Sequence, residues 1–304
     1  MVSGGRLDTN RLFDLGFEKN ALPIVSPPRG GRVLGPRVVA LPGGGYRLYY
    51  MEYGPGCPKG VSGVVVSAIS DDGGSWRREH GVRLGPVPPR ASARVLSPDI
   101  VLNENGRWRM YAEGRSPNKP SVIISAYSDD GISWIPKSHI CLADPAEVTS
   151  YGTPNVVRLP EGGYRLYCHA YDARAYHIVS AISEDGIVWE LEPGVRIAQD
   201  RPEEAYAAYS PYVWRSPDGD WMMLYSGWCS KPRLTGKIYA AVSNGGLKWE
   251  RVDWPILEPG DGFDSRHCSE PCLFWTQDGA AHLVYESCDF SDTWRLLSST
   301  VGSG

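Results

Sequence analysis

Runs of alternating apolar and polar residues recur along the chain and are separated by short turn-forming segments. The clearest copy lies at residues 97–134 and reads SPDIVLNENGRWRMYAEG, followed after a short connection by SVIISAYSDDGISW. Alternation with a period of two, bounded by Gly, Pro, Asn and Asp, is typical of β-strands. This copy therefore predicts three successive strands near residues 100–102, 108–112 and 122–128.

The same pattern is repeated five times with a period of about sixty residues. Every copy starts at a proline, has a glycine eight residues later and continues into a second strand. The third strand of four copies ends in SDDGGSW, SDDGISW, SEDGIVW or SNGGLKW, a turn in which we expect the Asp to cap, the Gly to adopt a positive φ and the Trp to pack between repeats. The leading prolines are Pro36, Pro98, Pro154, Pro211 and Pro271.

Five β-repeats predict a propeller, because radial repetition of small sheets leaves few exposed strand edges. We expect one all-β domain over residues 1–304, a five-bladed β-propeller with four-stranded antiparallel blades. Residues 1–34 lack the start of the repeat, but FEKNALPIVSP at residues 17–27 resembles the segment that follows the motif tryptophan, which reads as the outermost strand of a blade. They are expected to lead into the first blade and to close the ring, with residues 20–26 pairing with residues 294–300.

Composition and charge exclude several classes of partner. Lys and Arg number 31 against 35 Asp and Glu, which gives a net charge of −4 and argues against nucleic acid or an anionic membrane. No apolar run approaches the ~20 residues of a membrane span, and the first residues lack a signal-peptide core. Seven cysteines without a CxxC pair indicate reduced thiols in a cytoplasmic protein. Phosphate-loop and dinucleotide fingerprints are missing, so no cofactor is expected.

The parity of the strands predicts which side chains reach the central channel. Alternate residues of a strand face opposite sides, and the second strand of each repeat returns to the rim where the first begins. This topology brings four candidate catalytic residues to one end of the channel: Glu270, Glu113, His169 and Glu286. Carboxyl groups and a histidine can exchange protons with a substrate. The alternative is structural, with Glu270 paired to Arg37 or Arg266 and His169 hydrogen-bonded in the core.

Further side chains near this rim are candidates for binding a small, flat or sugar-like substrate. Asp99 also has a structural alternative, an ion pair with Arg37 or Arg94. No HxH or HxxxH spacing supports a metal site, and none is expected. The candidate substrate-binding residues are Asp99, Arg37, Arg94, Arg115, Tyr151, Tyr171, Tyr209, Tyr212, Trp228 and His267.

The proline start, the GYRLY second strand, the SxDGxxW turn and the five repeats together resemble the five-bladed glycosidase superfamily, which includes glycoside hydrolase families 32, 43, 68 and 130. Residues 97–114 are similar to the second-blade "APD" segment of family 43, with Asp99 at the Asp. The resemblance implies a funnel-shaped active site on the axis and action on sugars. The catalytic acids of family 43 are not matched, because Gly35, Thr153 and Ser210 occupy their places and only Glu270, in the fifth repeat, is an acid there.

Three functions are compatible with these residues. The first is a glycoside hydrolase-like enzyme that uses two carboxyl groups as acid and base or nucleophile. The second is a cyclase, lyase or isomerase of a biosynthetic pathway that reuses the funnel with His169 and a carboxylate. The third is a propeller that binds carbohydrate without catalysis. The fold alone does not distinguish them.

Overall fold

The computed structural model describes residues 16–55, 57, 59–102 and 106–301 of the chain. The first fifteen residues of the expected lead-in lie outside this part. The regular elements of the described residues are β-strands, apart from one short 3-10 helix at Pro202–Glu204. The prediction of an all-β chain is therefore confirmed.

The strands fall into four-stranded antiparallel units in the order of the sequence repeats. The first strand is β1 (Phe17–Lys19), and the first unit contains β2 (Arg32–Ala40), β3 (Tyr46–Tyr53), β4 (Val64–Ser70) and β5 (Arg77–Arg78). The second contains β6 (Arg94–Leu102), β7 (Trp108–Arg115), β8 (Val122–Ser128) and β9 (Ile135–Leu142), and the third β10 (Ser150–Arg158), β11 (Tyr164–Tyr171), β12 (Tyr176–Ser183) and β13 (Glu190–Leu191). The remaining strands are β14 (Ala207–Arg215), β15 (Trp221–Cys229), β16 (Thr235–Ser243), β17 (Glu250–Arg251), β18 (His267–Trp275), β19 (Ala281–Cys288) and β20 (Trp294–Val301).

Strands β14 to β17 and the set β18, β19, β20 and β1 share one sheet, but a single parallel bridge between Gly236 and His267 is what joins them. The leading strand of each unit contacts the leading strand of the next: β2 with β6, β6 with β10, β10 with β14, β14 with β18, and β18 with β2. This arrangement of small sheets around their leading strands is propeller-like.

The SxDGxxW turn has the structural role that its chemistry predicts. In the second unit, Asp130 Oδ1 accepts the backbone N–H groups of Ile132 and Ser133 at 2.8 and 2.7 Å, and Gly131 has a φ of 71°. The Trp134 ring contacts Tyr49 of the preceding unit edge to face, and the Tyr49 hydroxyl donates to the carbonyl of Gly131 at 2.6 Å. The motif therefore ties neighbouring sheets together.

The N-terminal segment pairs with the last strand. Strand β1 runs antiparallel to β20, and the pairing continues where Ile24 donates to the carbonyl of Leu296 at 2.9 Å and Leu296 donates to Val25 at 3.0 Å. Pairing begins at residue 17, slightly before the expected residues 20–26. One residue of β1, Lys19, lies 2.6 Å from the buried carboxylate of Asp264.

This ion pair predicts a large difference between two lysine substitutions. Lys19→Ala leaves the Asp264 carboxylate buried without its cation and should lower the free energy of unfolding by about 3 kcal/mol. Lys237→Ala removes an exposed pair with Glu258 and should cost less than about 1 kcal/mol. Urea unfolding of both variants measures the difference, and equal losses would contradict a stabilising role for the Lys19 pair.

Candidate active site

Each of the five leading strands carries a β-bulge at the residue before its proline. Register shifts interrupt all five pairings at this point, and every bulged residue has a positive φ. Such a φ is uncommon for residues other than glycine and is maintained only where the surroundings enforce it. The bulged residues are Gly35 (φ 59°), Ser97 (46°), Thr153 (47°), Ser210 (53°) and Glu270 (48°).

These five residues and their prolines line a narrow central channel with a volume of about 10 Å³. That volume is enough for about one water molecule. Glu270 is the only bulged residue with a charge, and its Oε2 accepts a hydrogen bond from the Ser97 hydroxyl at 3.1 Å. The residue before each proline therefore faces the central channel, as the alternation of the leading strands predicts.

The second strands supply a tier of side chains beside the bulges. Glu113 pairs with Leu96, and His169 pairs with Gly152, each directly next to a bulge. Glu113 Oε2 accepts the backbone N–H of Thr153, the bulged residue of the next unit, at 3.2 Å. In the same way the Ser226 hydroxyl accepts the N–H of Glu270, and Glu286 accepts that of Gly35. These side chains therefore satisfy the bulge amides of neighbouring sheets.

A cavity of about 150 Å³ opens beside the channel. Three of the four predicted catalytic residues, Glu270, Glu113 and His169, line it together with Arg115. Glu286 is buried and does not line the cavity, although its charge acts on Glu270. The full lining is Leu96, Glu113, Arg115, Thr153, His169, Tyr176, Tyr206, Ala207, Tyr209, Trp228 and Glu270.

Glu270 forms no salt bridge with any described residue, and Arg115 acts on it only through the attraction of its charge. Burial raises the pKa of Glu270 well above its usual range, and the carboxylates of Glu286 and Glu113 add to the effect. Burial also raises the pKa of Glu286, against hydrogen bonds from Ser269 and Gly35. The proposed structural partners are engaged elsewhere, because Arg37 pairs with Asp99 and Arg266 with Asp292. Glu270 can therefore retain a proton under conditions in which an ordinary glutamate has lost it.

The pKa of Glu113 is shifted in the opposite direction to that of Glu270. Burial opposes its ionisation, but the guanidinium of Arg115, whose Nε lies 2.5 Å from Oε1, outweighs burial and lowers the pKa of Glu113. His169 is buried beside it, and burial lowers the pKa of His169 to about 4 despite the Glu113 charge. Thr153 Oγ1 lies 2.9 Å from Nδ1 of His169. These pKa shifts favour the ionised form of Glu113, the neutral form of His169 and the protonated form of Glu270.

Gly152 is required for this close arrangement. A Cβ at this position would lie 2.1 Å from Glu113 Oε2 and 2.4 Å from Cε1 of His169. Both neighbours are already fixed by hydrogen bonds to Thr153. Any side chain larger than a hydrogen atom must therefore displace Glu113 or His169.

Aromatic rings form one side of the cavity, which we call the aromatic wall: Tyr176, Tyr206, Tyr209 and Trp228. Tyr171 lies behind Tyr176, with stacked rings 4.4 Å apart. His267 lies behind Trp228 at 4.3 Å and has no exposed surface, so it supports the wall without lining the cavity. Burial raises the pKa of the Tyr209 hydroxyl well above its usual range, and Glu286 adds to it.

Four other predicted binding residues, Asp99, Arg37, Tyr212 and Tyr151, do not line the cavity and serve the fold, whereas Arg94 lies beside the cavity. Asp99 accepts the backbone N–H of Val156 in the next sheet and pairs with Arg37 at 2.9 Å, which is the structural alternative. Tyr212 lies under Arg37 and donates to the carbonyl of Leu273. Tyr151 is packed in the apolar core with Ile123, Cys141 and Leu166. Arg94 lies one pleat outward from the cavity residue Leu96.

Sequence reasoning missed Tyr176 and the Thr153 side chain. Tyr176 begins β12 and pairs directly with Tyr171, so the same parity argument, extended to the third strand, locates it. The sequence indicates Thr153 only as a position where family 43 has an acid, whereas in the structure its hydroxyl contacts His169 and accepts the N–H of Ser210 at 3.2 Å.

A larger depression of about 730 Å³ lies on the third sheet, near Glu161, Glu184 and Glu190. It is an open surface with several exposed carboxylates and lacks the buried titratable groups of the axial cavity. Within the described part of the chain, no group of three His, Cys, Asp or Glu residues could hold a metal ion. No helix in that part is long and apolar enough to cross a membrane.

No protein-family model matches the sequence, and no curated protein matches it either. Solved structures do match. A glycosyl hydrolase from Bacteroides ovatus has a TM-score of 0.76 at 16% identity, with 93% of this chain and 93% of that chain covered. A thermostable family-43 glycoside hydrolase has a TM-score of 0.74 at 16% identity, covering 88% and 89%.

A third structure is described with the family-130 mannoside phosphorylases and with glycoside hydrolases that target β-1,2 mannosidic linkages in Candida mannan. Its TM-score is 0.74 at 17% identity, and 93% of both chains is covered. At these identities the likeness concerns the fold. The chain therefore shares the fold of the propeller glycoside hydrolases.

Proposed function

We propose that the protein is a glycosidase-like enzyme that acts on a sugar or glycoside in the axial cavity by carboxyl acid/base chemistry. The observation that carries this proposal is the pair Glu270 and Glu113, two carboxyl groups on one cavity whose pKa values are shifted in opposite directions. Such a pair divides the roles of proton donor and ionised carboxylate between two residues. Glu270 is the proton donor and Glu113 the ionised partner.

We also propose that the units form five blades in one domain over residues 1–304, with a ring closed by β1. The contact between β18 and β2 and the pairing of β1 with β20 support this. The Lys19–Asp264 pair supports it too. It joins β1 to the segment before β18, just as the pair between Arg251 and Glu204 joins β17 to the segment before β14. A cytoplasmic location is part of the proposal and rests on the seven free thiols.

A second candidate is a non-hydrolytic enzyme in which His169 is the base. Both oxygens of Glu113 are occupied, by Arg115 Nε and by the N–H of Thr153, whereas His169 is neutral and lines the cavity. Such an enzyme would use His169 and Glu270 as base and acid in a cyclisation, elimination or isomerisation.

A panel of aryl glycosides and defined oligosaccharides tests the first function. Release of sugar is followed by chromatography, with and without inorganic phosphate, so that hydrolysis and phosphorolysis give different products. The glycosidase-like function requires cleavage of at least one member by the wild type. Turnover of a substrate without cleavage of a glycosidic bond would favour the His169 mechanism, and binding without turnover would favour a carbohydrate-binding propeller.

The pH profile of kcat/KM follows from the two shifted carboxyl groups. Activity should fall with decreasing pH as Glu113 is protonated at its lowered pKa, and with increasing pH as Glu270 ionises at its raised pKa. The active range should therefore extend above the ordinary glutamate pKa of about 4.3. A profile that already falls at that value, measured where the protein is folded, would exclude Glu270 as the proton donor.

A further inference from the structure

Two arginines face each other at the mouth of the cavity. Arg94 and Arg115 are direct partners in the pairing of β6 with β7, and the next partners inward on the same face are Leu96 and Glu113, which line the cavity. Alternate residues of a strand share a face, so Arg94 lies one pleat outward from the cavity, directly opposite Arg115, which lines it.

This pair carries more positive charge than its surroundings neutralise. Arg115 is engaged by Glu113, but Arg94 forms no ion pair with any described residue. Arg94 is half-buried, and its guanidinium lies 5.9 Å from the centre of the Tyr53 ring. Like charges directly opposite each other on adjacent strands are destabilising. An anion between Arg94 and Arg115 would remove this repulsion.

The neighbouring loops add to the positive charge. Glu147 is shared by two cations, Arg90 at 2.6 Å and Lys119 at 3.6 Å. We call the four residues Arg90, Arg94, Arg115 and Lys119 the cation wall. These four cations share two salt-bridged carboxylates, Glu113 and Glu147, and Glu270 also attracts Arg115, in a chain whose net charge is −4. The excess is local and belongs to this side of the mouth.

We propose that the substrate is an acidic carbohydrate, a sugar with a carboxylate or a phosphate ester, and that Arg94 and Arg115 bind its anionic group. The inference rests on the proposed function, because it assigns the substrate class of the same cavity. An arginine fork binds either anion through two parallel hydrogen bonds. The aromatic wall, from the third unit, from strands β14 and β15 and from Tyr206 just before β14, stacks on the apolar face of the same sugar.

The test is a binding experiment that needs no turnover. Wild-type protein is applied to immobilised uronic-acid glycans, to the same glycans after reduction of the carboxyl groups, and to sugar phosphates with their dephosphorylated counterparts. Acidic members should bind roughly 10- to 100-fold more tightly than their neutral counterparts, since each hydrogen bond involves a charged group. The carboxylate and phosphate arms identify which anion is recognised.

Arg94→Gln should abolish the preference for acidic members, while Arg77→Gln, which removes an equal charge from an exposed strand of the first unit, should preserve it. The melting temperature of Arg94→Gln should equal or exceed that of the wild type, because a like-charge contact is removed. Arg94→Lys keeps the charge without the fork and should retain part of the preference. The inference is overturned if acidic and neutral members bind equally, if none binds, or if Arg94→Gln keeps the preference.

The outcomes separate this inference from the proposed function. Cleavage of neutral glycosides without a preference for acidic ones would leave the glycosidase-like function standing and remove the anion site. Selective binding of acidic glycans without cleavage of any would support the anion site and refute the glycosidase-like function.

Discussion

Glu270→Gln is expected to lower turnover roughly 10²–10⁴-fold, the loss that follows removal of one positioned acid or base. The amide is nearly the same size as the carboxyl group, and its oxygen can still accept the hydrogen bond from Ser97. It cannot release a proton. Because Glu270 forms no salt bridge with any described residue, the substitution breaks no close ion pair, and the fold should remain intact.

The same variant should be more stable than the wild type at neutral pH. The pKa of Glu270 is raised in the folded protein, so the stability that its protonated form contributes is complete below the unfolded pKa of about 4.3 and is lost as the pH rises through the folded pKa. Glutamine does not ionise and avoids that loss. The difference in melting temperature between variant and wild type should therefore increase from pH 5 to pH 8.

Glu161→Gln is the matched control, since it makes the same chemical change at an exposed carboxylate on the third unit. It should leave both turnover and the pH dependence of the melting temperature unchanged. Unchanged turnover in Glu270→Gln would dismiss Glu270 as a catalyst. A lower melting temperature in Glu270→Gln would instead indicate that this carboxylate stabilises the fold.

The parts of the fold that the sequence predicts are those whose cause is local. The SxDGxxW turn needs one acceptor, one residue with positive φ and one large ring, and all three are visible as residue types around Asp130. The meeting of Glu270, Glu113 and His169 also follows from sequence, because antiparallel pairing returns each second strand to the start of the first.

The bulges have no comparable local signal. A residue before proline prefers extended backbone, yet Ser97, Thr153, Ser210 and Glu270 adopt positive φ there. Packing of each leading strand against its neighbours, and hydrogen bonds from the bulge amides to side chains of the preceding sheet, enforce this conformation. Such contacts join residues far apart in the chain. Local backbone propensity and the spacing of motifs therefore do not predict them.

The same reason explains why some candidate binding residues belong to the fold. Parity places Asp99, Arg37 and Tyr212 near the axis, where they do lie, but it does not give their depth. The structure places them below the bulges, where Asp99 contacts the next leading strand at Val156 and Arg37 lies over the Tyr212 ring. The depth of a side chain along the axis depends on the bulges. Because the bulges cannot be predicted from the sequence, this depth cannot be predicted either.

Among Gly→Ala substitutions at the described glycines, Gly152→Ala is expected to damage the site most. The backbone of Gly152 has no positive φ, so alanine is compatible with the local conformation and the effect is purely steric. The new Cβ would lie 2.1 Å from Glu113 Oε2 and 2.4 Å from Cε1 of His169. Overpacking of this kind costs about 1–3 kcal/mol of stability.

The loss of activity should be larger than the loss of stability suggests. Relief of the contact moves Glu113 or His169, and a displacement of about 1 Å in a catalytic arrangement can lower the rate roughly 10²-fold. Turnover and urea unfolding, measured on the same preparation, separate the two effects. Gly43→Ala adds the same methyl group where no atom lies within 4 Å of the new Cβ and should change neither quantity. Full activity in Gly152→Ala would show that the spacing of Glu113 and His169 is not critical for function.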